Sequence, residues 1–292
     1  MAAKVSVCIP TRNRACYIGA TIKSVLDSEY SNIEIIISDN ASTDNTQEIL
    51  NAFDDRRIHF YQNSINVGPI KNWNLAMEKA SGDYIGLLYS DDLYGPFWLN
   101  LAVHVLDKYP HIGWVSTAFR IINDRNQLIG TVSHFDRKGE IGRPEAFQHA
   151  AMLNGLGPVY IARREIPEKL GYYDEEYDFS ADNDFFLRLS SRYPLYYSCN
   201  NFHAAYRIHA DNLSRQWKNV DQISEGLRML KKAFADCTLS EELHQYERPC
   251  YTHLYHRALH FAKKRLEKDD IETAQQVITL LHEFGYNHQG QC

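Results

Sequence analysis

Residues 84–96, YIGLLYSDDLYGP, run from an apolar segment straight into two adjacent carboxylates, Asp91 and Asp92, with a Gly-Pro turn signal behind them. Like charges this close repel, and strand packing does not ask for them, so the pair points to something cationic. Working outward, the segments before it repeat one arrangement. VSVCI (5–9) reads as a buried strand that stops at Pro10. YIGATIKSVLDS follows, with Ile18, Ile22, Val25 and Leu26 on one helical face. IEIIIS ends at Asp39, and NASTDNTQEIL supplies cap residues for a second helix. RIHFYQN is a third strand. After INVGP, IKNWNLAMEKA reads as a helix closed by Ser81 and Gly82, and DYIGLL is the fourth strand. IGWVSTAF is a fifth, beyond a helix around residues 97–108. Strands alternating with helices predict an α/β fold with a mainly parallel central sheet flanked by helices.

In open α/β sheets, ligands bind beyond the carboxyl ends of the strands. Thr11, Asn13 and Arg14 follow the first strand here, Asp39 the second, Asn66 the third, and Asp91 and Asp92 the fourth. Polar loops and helix caps account for any one of these. Their recurrence at every strand end predicts one shared crevice.

The bulk composition narrows the rest. With 292 residues, 44% of them hydrophobic, the chain is long enough for a large core or two that share a sheet. Its longest apolar runs fall far short of the roughly 20 residues that cross a bilayer. MAAKVSVCIP enters a strand-like segment at once and leaves no room for a secretory leader, so the mature protein is expected to start where the sequence starts. Six cysteines lack C-x-x-C spacing, which suits a reducing, cytoplasmic setting. A formal charge of -6 argues against a nucleic-acid partner, which requires a basic face.

Residues 120–215 are less regular, with Gly155, Gly157 and Pro158 marking a loop, and read as the second half of one catalytic unit. Residues 216–292 lack strand signals, and HLYHRALHFAKKRLEK and IETAQQVITLLHEF read as a helical pair. The expected organisation is one unit over 1–215, in halves 1–118 and 119–215, then a helical extension over 216–292.

From residue 4 to 215 the chain resembles the family 2 inverting glycosyltransferases, which have the GT-A fold. The resemblance lies in VSVCIPTRNR, IEIIISDNASTDNT, NVGPIKNWNLAMEKASGDYIGLLYSDD, LGYYDEEYDFSADNDFFLRL and YRIHADNLS, in the family's order. It implies that the acidic motif holds Mn²⁺ or Mg²⁺ against the diphosphate of a nucleotide sugar, and hard divalent cations do favour carboxylate and phosphate oxygens. By register, Asp91 falls on the metal-binding position. Many relatives read Asp-x-Asp-Asp, whereas this chain has Tyr89, Ser90, Asp91, Asp92, which puts donor affinity and metal dependence in question. Asp39 matches the residue that accepts a hydrogen bond from a uracil or thymine ring. Pro10, Thr11, Asn13 and Arg14 match the loop around the nucleoside, and Ser90 stands beside the metal position. Asn66 matches a motif asparagine, although shaping the turn before Gly68 explains it equally well.

Inverting transfer needs a carboxylate to accept the proton of the attacking hydroxyl. In the family's Glu-Asp-x-Asp pattern the first Asp is the base, which is Asp182 here, with Ala181 in place of the Glu. Asp184 is expected in support. Both acids would also suit the first turn of a helix. His209 matches a histidine near metal and diphosphate, and Arg207 is expected near the phosphates. A dinucleotide fold is set aside, because PTRNRACYIG lacks G-x-G-x-x-G spacing.

The resemblance thus implies a metal-dependent enzyme that transfers a sugar from a UDP or dTDP donor to a glycan or lipid-linked saccharide in surface polysaccharide synthesis. It would be soluble or peripheral at the inner face of the membrane. Lys263, Lys264 and Arg265 beside Leu259, Phe261 and Leu266 would suit an anionic surface, and packing onto the catalytic unit explains the same residues. The competing reading, a non-catalytic nucleotide-sugar sensor or scaffold, rests on Tyr89 and Ala181 standing where acids are usual.

Overall fold

A computed structural model of the chain describes residues 2–152, 159–212 and 219–284. It opens with the expected alternation: β1 (Val5–Thr11), α1 (Ile18–Leu26), β2 (Ile33–Asp39), α2 (Thr46–Asn51), β3 (Ile58–Gln62), α3 (Pro69–Met77) and β4 (Tyr84–Leu87). All seven residues of β1 and of β2 are buried, which is why both read as near-continuous apolar runs, as strands covered on two faces do. Pro69 opens α3 behind Gly68, whose φ of 90° is reached cheaply only without a Cβ.

The chain then departs from the simple repeat. β5 (Leu93–Tyr94) follows the acidic pair at once, and α4 (Trp98–Lys108) leads to β6 (Trp114–Thr117) and β7 (Phe119–Asn123). The single strand expected over IGWVSTAF is therefore two, parted at Ala118, and they belong to different sheets. There follow β8 (Leu128–Val132), β9 (Gly139–Ile141), α5 (Arg143–Ala151), β10 (Tyr160–Arg163), α6 (Glu165–Leu170), α7 (Ala181–Arg192), β11 (Leu195–Ser198) and β12 (Ala204–Ile208). The C-terminal part contributes α8 (Asn219–Phe234), α9 (Glu241–His244), α10 (Glu247–Leu266) and α11 (Ile271–Glu283). The loop expected around Gly155, Gly157 and Pro158, and the expected boundary at 215/216, lie outside the described residues.

The main sheet has the order β3-β2-β1-β4-β10-β6-β11-β9. Its first four strands are parallel, and β10 runs antiparallel between β4 and β6. Gly86 lets β10 approach: a Cβ there would lie 2.6 Å from the Tyr160 carbonyl oxygen. A smaller sheet, β5-β12-β7-β8, lies beside the acidic pair. Pairing of Ala204 with Tyr94 carries the following residues of β12 back towards Asp92 and Asp91.

One apolar cluster lies among β1, β2, α1 and α4, and the other joins α5, α7, α8, α10 and α11. Phe147 and Phe185 share the second cluster with Leu230, Leu254 and Val277, so the helical extension completes the core of the second half. Cys8, Cys16, Cys199, Cys237 and Cys250 are free thiols. No helix among the described residues is long and apolar enough to cross a membrane.

Candidate active site

The parallel strands deliver their polar ends to one rim. Thr11 and Asp39 are register partners at the ends of β1 and β2. Both are buried, and the Thr11 Oγ1 has no hydrogen-bond partner. Asp39 accepts from the Ser42 hydroxyl and, at 3.3 Å, from the Ser42 backbone N–H. Ser42 in turn accepts from the Asn13 N–H, and the Asn13 Oδ1 accepts from the Thr43 N–H at 2.8 Å. These bonds hold Asn13 in the left-handed region, with φ of 51°. Pro10 is buried in β1. The amide of Asn66 accepts from Gly68 N–H (3.1 Å) and from the Asn40 side chain (2.8 Å), so its visible work is to fix the turn into α3.

Past β4, the two aspartates take opposite roles. Asp92 is fully buried; its Oδ1 accepts the Arg207 backbone N–H at 2.8 Å, while Oδ2 has no partner. Burial, with the neighbouring Asp91 carboxylate, pushes its carboxyl well above the ordinary carboxylate range. The Arg207 N–H and guanidinium oppose that rise. Asp91 is the one that meets basic side chains. Its Oδ2 accepts from Arg14 Nε at 3.2 Å and from His209 Nε2 at 2.9 Å. The Asp211 backbone N–H donates to His209 Nδ1 at 3.1 Å, which leaves the imidazole proton on Nε2. Tyr17 stacks on the His209 ring with centroids 4.7 Å apart. Ser90 is buried, and its carbonyl accepts from the Thr21 hydroxyl at 3.0 Å.

Arg207 is turned inward. Its guanidinium donates to the carbonyls of Asp91 (2.7 Å) and Asn123 (3.1 Å) and to the Asn126 side chain, and it lies over the Tyr17 ring. It clamps the backbone of the acidic turn, a role that its place in the motif did not announce.

Asp182 and Asp184 stand in the first turn of α7, as expected. Asp184 is paired with Arg188 Nε at 2.8 Å, which leaves Asp182 as the acid without a cation. Burial raises the Asp182 carboxyl to about 6; the Asn183 N–H, 2.7 Å from Oδ1, opposes the rise, and Glu225 adds to it. Tyr89 links this acid to the β4 turn. Burial pushes its hydroxyl well above the ordinary range, and the carboxylates of Asp182 and Asp92 both add to the effect. Tyr89 is therefore close to both Asp182 and Asp92, and its ring packs against Trp73, itself edge-on to Tyr173.

Glu225, on α8, had no signal in the sequence. It is a single acid in an amphipathic helix, yet it is buried and accepts backbone N–H bonds from Asp178, Phe179 and Ser180. A separate cleft of about 600 Å³, lined by Ser133, His134, Phe135, Asp136, Glu145, Cys199 and Asn200, opens in the second half.

A family model described as glycosyl transferase family 2 matches residues 6–162. The abequosyltransferase RfbV of Salmonella typhimurium is 41% identical over 113 residues, 37% of this chain and 34% of its own length. The UDP-Glc:alpha-D-GlcNAc-diphosphoundecaprenol beta-1,3-glucosyltransferase WfaP of Escherichia coli is 38% identical over 103 residues, 35% of this chain and 41% of its own length. The chain thus spans well under half the length of these curated relatives. Among solved structures, S. aureus TarS 1-349 in complex with UDP-GlcNAc superimposes with a TM-score of 0.79 at 19% identity, covering 96% of this chain and 80% of that one. That likeness shows the fold, a GT-A arrangement of central sheet and flanking helices.

Proposed function

The chain belongs to glycosyl transferase family 2, and from that premise we propose an inverting transferase that moves a sugar from a UDP- or dTDP-sugar to a hydroxyl of a glycan or lipid-linked saccharide in surface polysaccharide synthesis. The observation that carries this reading is that Tyr89, in the acidic turn, lies close enough to both Asp92 and Asp182 to feel their charge, because transfer needs a diphosphate-binding end and a base within one pocket. The UDP-linked names of the E. coli relative and of the S. aureus structure support a UDP donor.

In this reading Asp39, with lone pairs left beyond its bonds from Ser42, accepts the ring N–H of the pyrimidine. Pro10, Thr11 and Asn13 shape the floor under the nucleoside, and Asn66 supports it through the turn before α3. Arg14 orients Asp91. Asp182 takes the proton from the acceptor hydroxyl. The freed oxygen bonds to the anomeric carbon from one face while the bond to the diphosphate breaks on the other, so one displacement inverts the centre. A base raised to about 6 is largely ionised at neutral pH and more basic than an ordinary aspartate.

The residues present fit a divalent ion. The Asp91 Oδ1 has no hydrogen bond among the described residues, and His209 Nε2, which donates to Asp91 Oδ2 in the absence of an ion, would give up its proton to bind one. A carboxylate and an imidazole together suit Mn²⁺, while Mg²⁺ would rely more on the oxygen ligands. No group of three or more His, Cys, Asp or Glu among the described residues could hold a metal by itself, so Asp91 and His209 would hold it jointly with the donor's diphosphate. When bound, the ion would neutralise charge on the leaving diphosphate.

We place the reaction in the cytoplasm, with the acceptor met at the inner membrane face. Leu259, Leu266 and Ile271 stay exposed beside Lys263 and Lys264, whereas α10 packs through Cys250, Leu254, Ala258 and Ala262. The test is turnover. Incubation with UDP- and dTDP-sugars and Mn²⁺ should release free nucleoside diphosphate, by transfer or slow hydrolysis. Donor binding with no release under any metal would mark a sensor instead.

A further inference from the structure

We infer that Glu225, in the C-terminal helical extension, is a positioning residue for the Asp182 carboxylate, an inference that rests on reading Asp182 as the base. The carboxylate of Glu225 accepts from Asp178 N–H at 3.0 Å on one oxygen, and from Phe179 N–H at 2.8 Å and Ser180 N–H at 2.7 Å on the other. Helices normally satisfy such leading N–H groups with a local cap. Here Ser180, the residue before α7, makes no side-chain cap, and its Oγ is buried without a partner. An acid from another part of the chain does the work instead. It binds the backbone that leads directly into Ala181 and Asp182.

The rest of that face of α8 holds the same segment. Arg228 lies over the Tyr177 ring at 5.8 Å, and Lys232 is ion-paired with Asp174 and also faces Tyr177. Spacing of three and seven residues from Glu225 puts all three on one helical stripe. The stripe therefore grips the segment from residue 174 to 180, and Asp182 is carried on its far end. Glu225 also faces Asp182 electrically, as a like charge. The other titratable groups facing Asp182 are Tyr89, from the turn after β4, and Tyr173, from the segment before α7. In its own turn, Asp184 is engaged with Arg188. Glu225 is thus the group that both fixes the backbone under Asp182 and opposes its ionisation.

The experiment compares Glu225→Gln and Glu225→Asp with wild type by two readouts. The Asp182 titration is followed by ¹³C NMR of aspartate-labelled protein, assigned with Asp182→Asn, and the pH dependence of kcat/KM is measured for donor turnover. Glu225→Gln removes the charge and at least one acceptor. Its Asp182 titration and the acidic limb should both move down by about half a unit or more, with kcat lowered roughly 10-fold and donor KM unchanged. Glu225→Asp keeps the charge but draws it back from the N–H groups, so kcat should fall while the titration stays near that of wild type. A folded Glu225→Gln with an unmoved Asp182 titration, or Glu225→Asp with wild-type kcat, would overturn the inference. Should wild type turn over no donor, the reading of Asp182 as base fails, and the NMR titration still decides whether the two carboxylates are coupled.

Discussion

His209 donates from Nε2 to Asp91 Oδ2 across 2.9 Å, and the direction of that bond is set by the Asp211 backbone N–H on the opposite ring nitrogen. With Arg14 on the same oxygen, Oδ2 is engaged and Oδ1 is left to meet a ligand. Asp91→Ala should therefore remove the charged end of the site and lower transfer by about 100-fold or more. His209→Ala should weaken the metal-dependent part of donor binding by about 10- to 100-fold. Donor titrations with and without Mn²⁺ check both. Affinity that is unchanged in His209→Ala at every Mn²⁺ concentration would remove His209 from the site.

Asp182→Asn should abolish transfer while donor still binds. Its acid is raised from 3.8 to about 6, so between those values the folded state holds a proton that the unfolded state has released. Stability contributed by that proton is present below pH 3.8 and lost as pH rises through 6. At pH 7–8 the ionised side chain is accordingly a cost of about 1–3 kcal/mol. Asp182→Asn should melt higher than wild type at pH 7.5, with the difference shrinking below pH 4. The kcat/KM of wild type should rise with pH through an acidic limb near 6.

A nucleotide that needs the metal should stabilise the fold only in its presence. UDP at 100 times its Kd should add about 2.7 kcal/mol, read as a rise in Tm with Mn²⁺ that chelation reverses. A rise of the same size in excess chelator would show that Arg14 and its neighbours hold the diphosphate without an ion.

Away from the site, Glu34 locks β1, β2 and the turn before β4 together. It is buried, paired with Lys4, and accepts from the Ser6 hydroxyl and the Ser81 N–H. Burial alone would raise its carboxyl; the bonds from Lys4, Ser6 and Ser81 outweigh that and hold it at about 2, against the usual 4.5. The stability it contributes is fully present above pH 4.5 and lost as pH falls towards 2. Glu34→Gln should cost about 2 kcal/mol at neutral pH and flatten the loss of wild-type stability between pH 4.5 and 2. Acid denaturation curves that run parallel for the two proteins would show that another group carries that loss.

What the sequence determined by itself was the pattern of burial and the order of the motifs. Residues 5–9 and 33–38 read as strands covered on both faces from their near-continuous apolar runs, and polar residues at their ends were expected to share the rim that parallel strands create; the structure carries the first strand on through Pro10 to Thr11. The place of Asp182 and Asp184 in the first turn of a helix was legible for the same local reason. Tertiary contacts decided the rest. IGWVSTAF is divided at Ala118 because its halves pair with β11 in one sheet and β12 in another, and periodicity within eight residues cannot register two sets of neighbours. Register singled out Asp91, but only the return of β12 shows how the two aspartates differ: Asp92 is buried against the Arg207 N–H, while Asp91 meets Arg14 and His209. Glu225 looks like any acid on an amphipathic helix until residues 178–180 arrive against it. A side chain's face is written in the spacing of its neighbours along the chain, but its partner is fixed only when a distant segment packs there and leaves an N–H with no other acceptor.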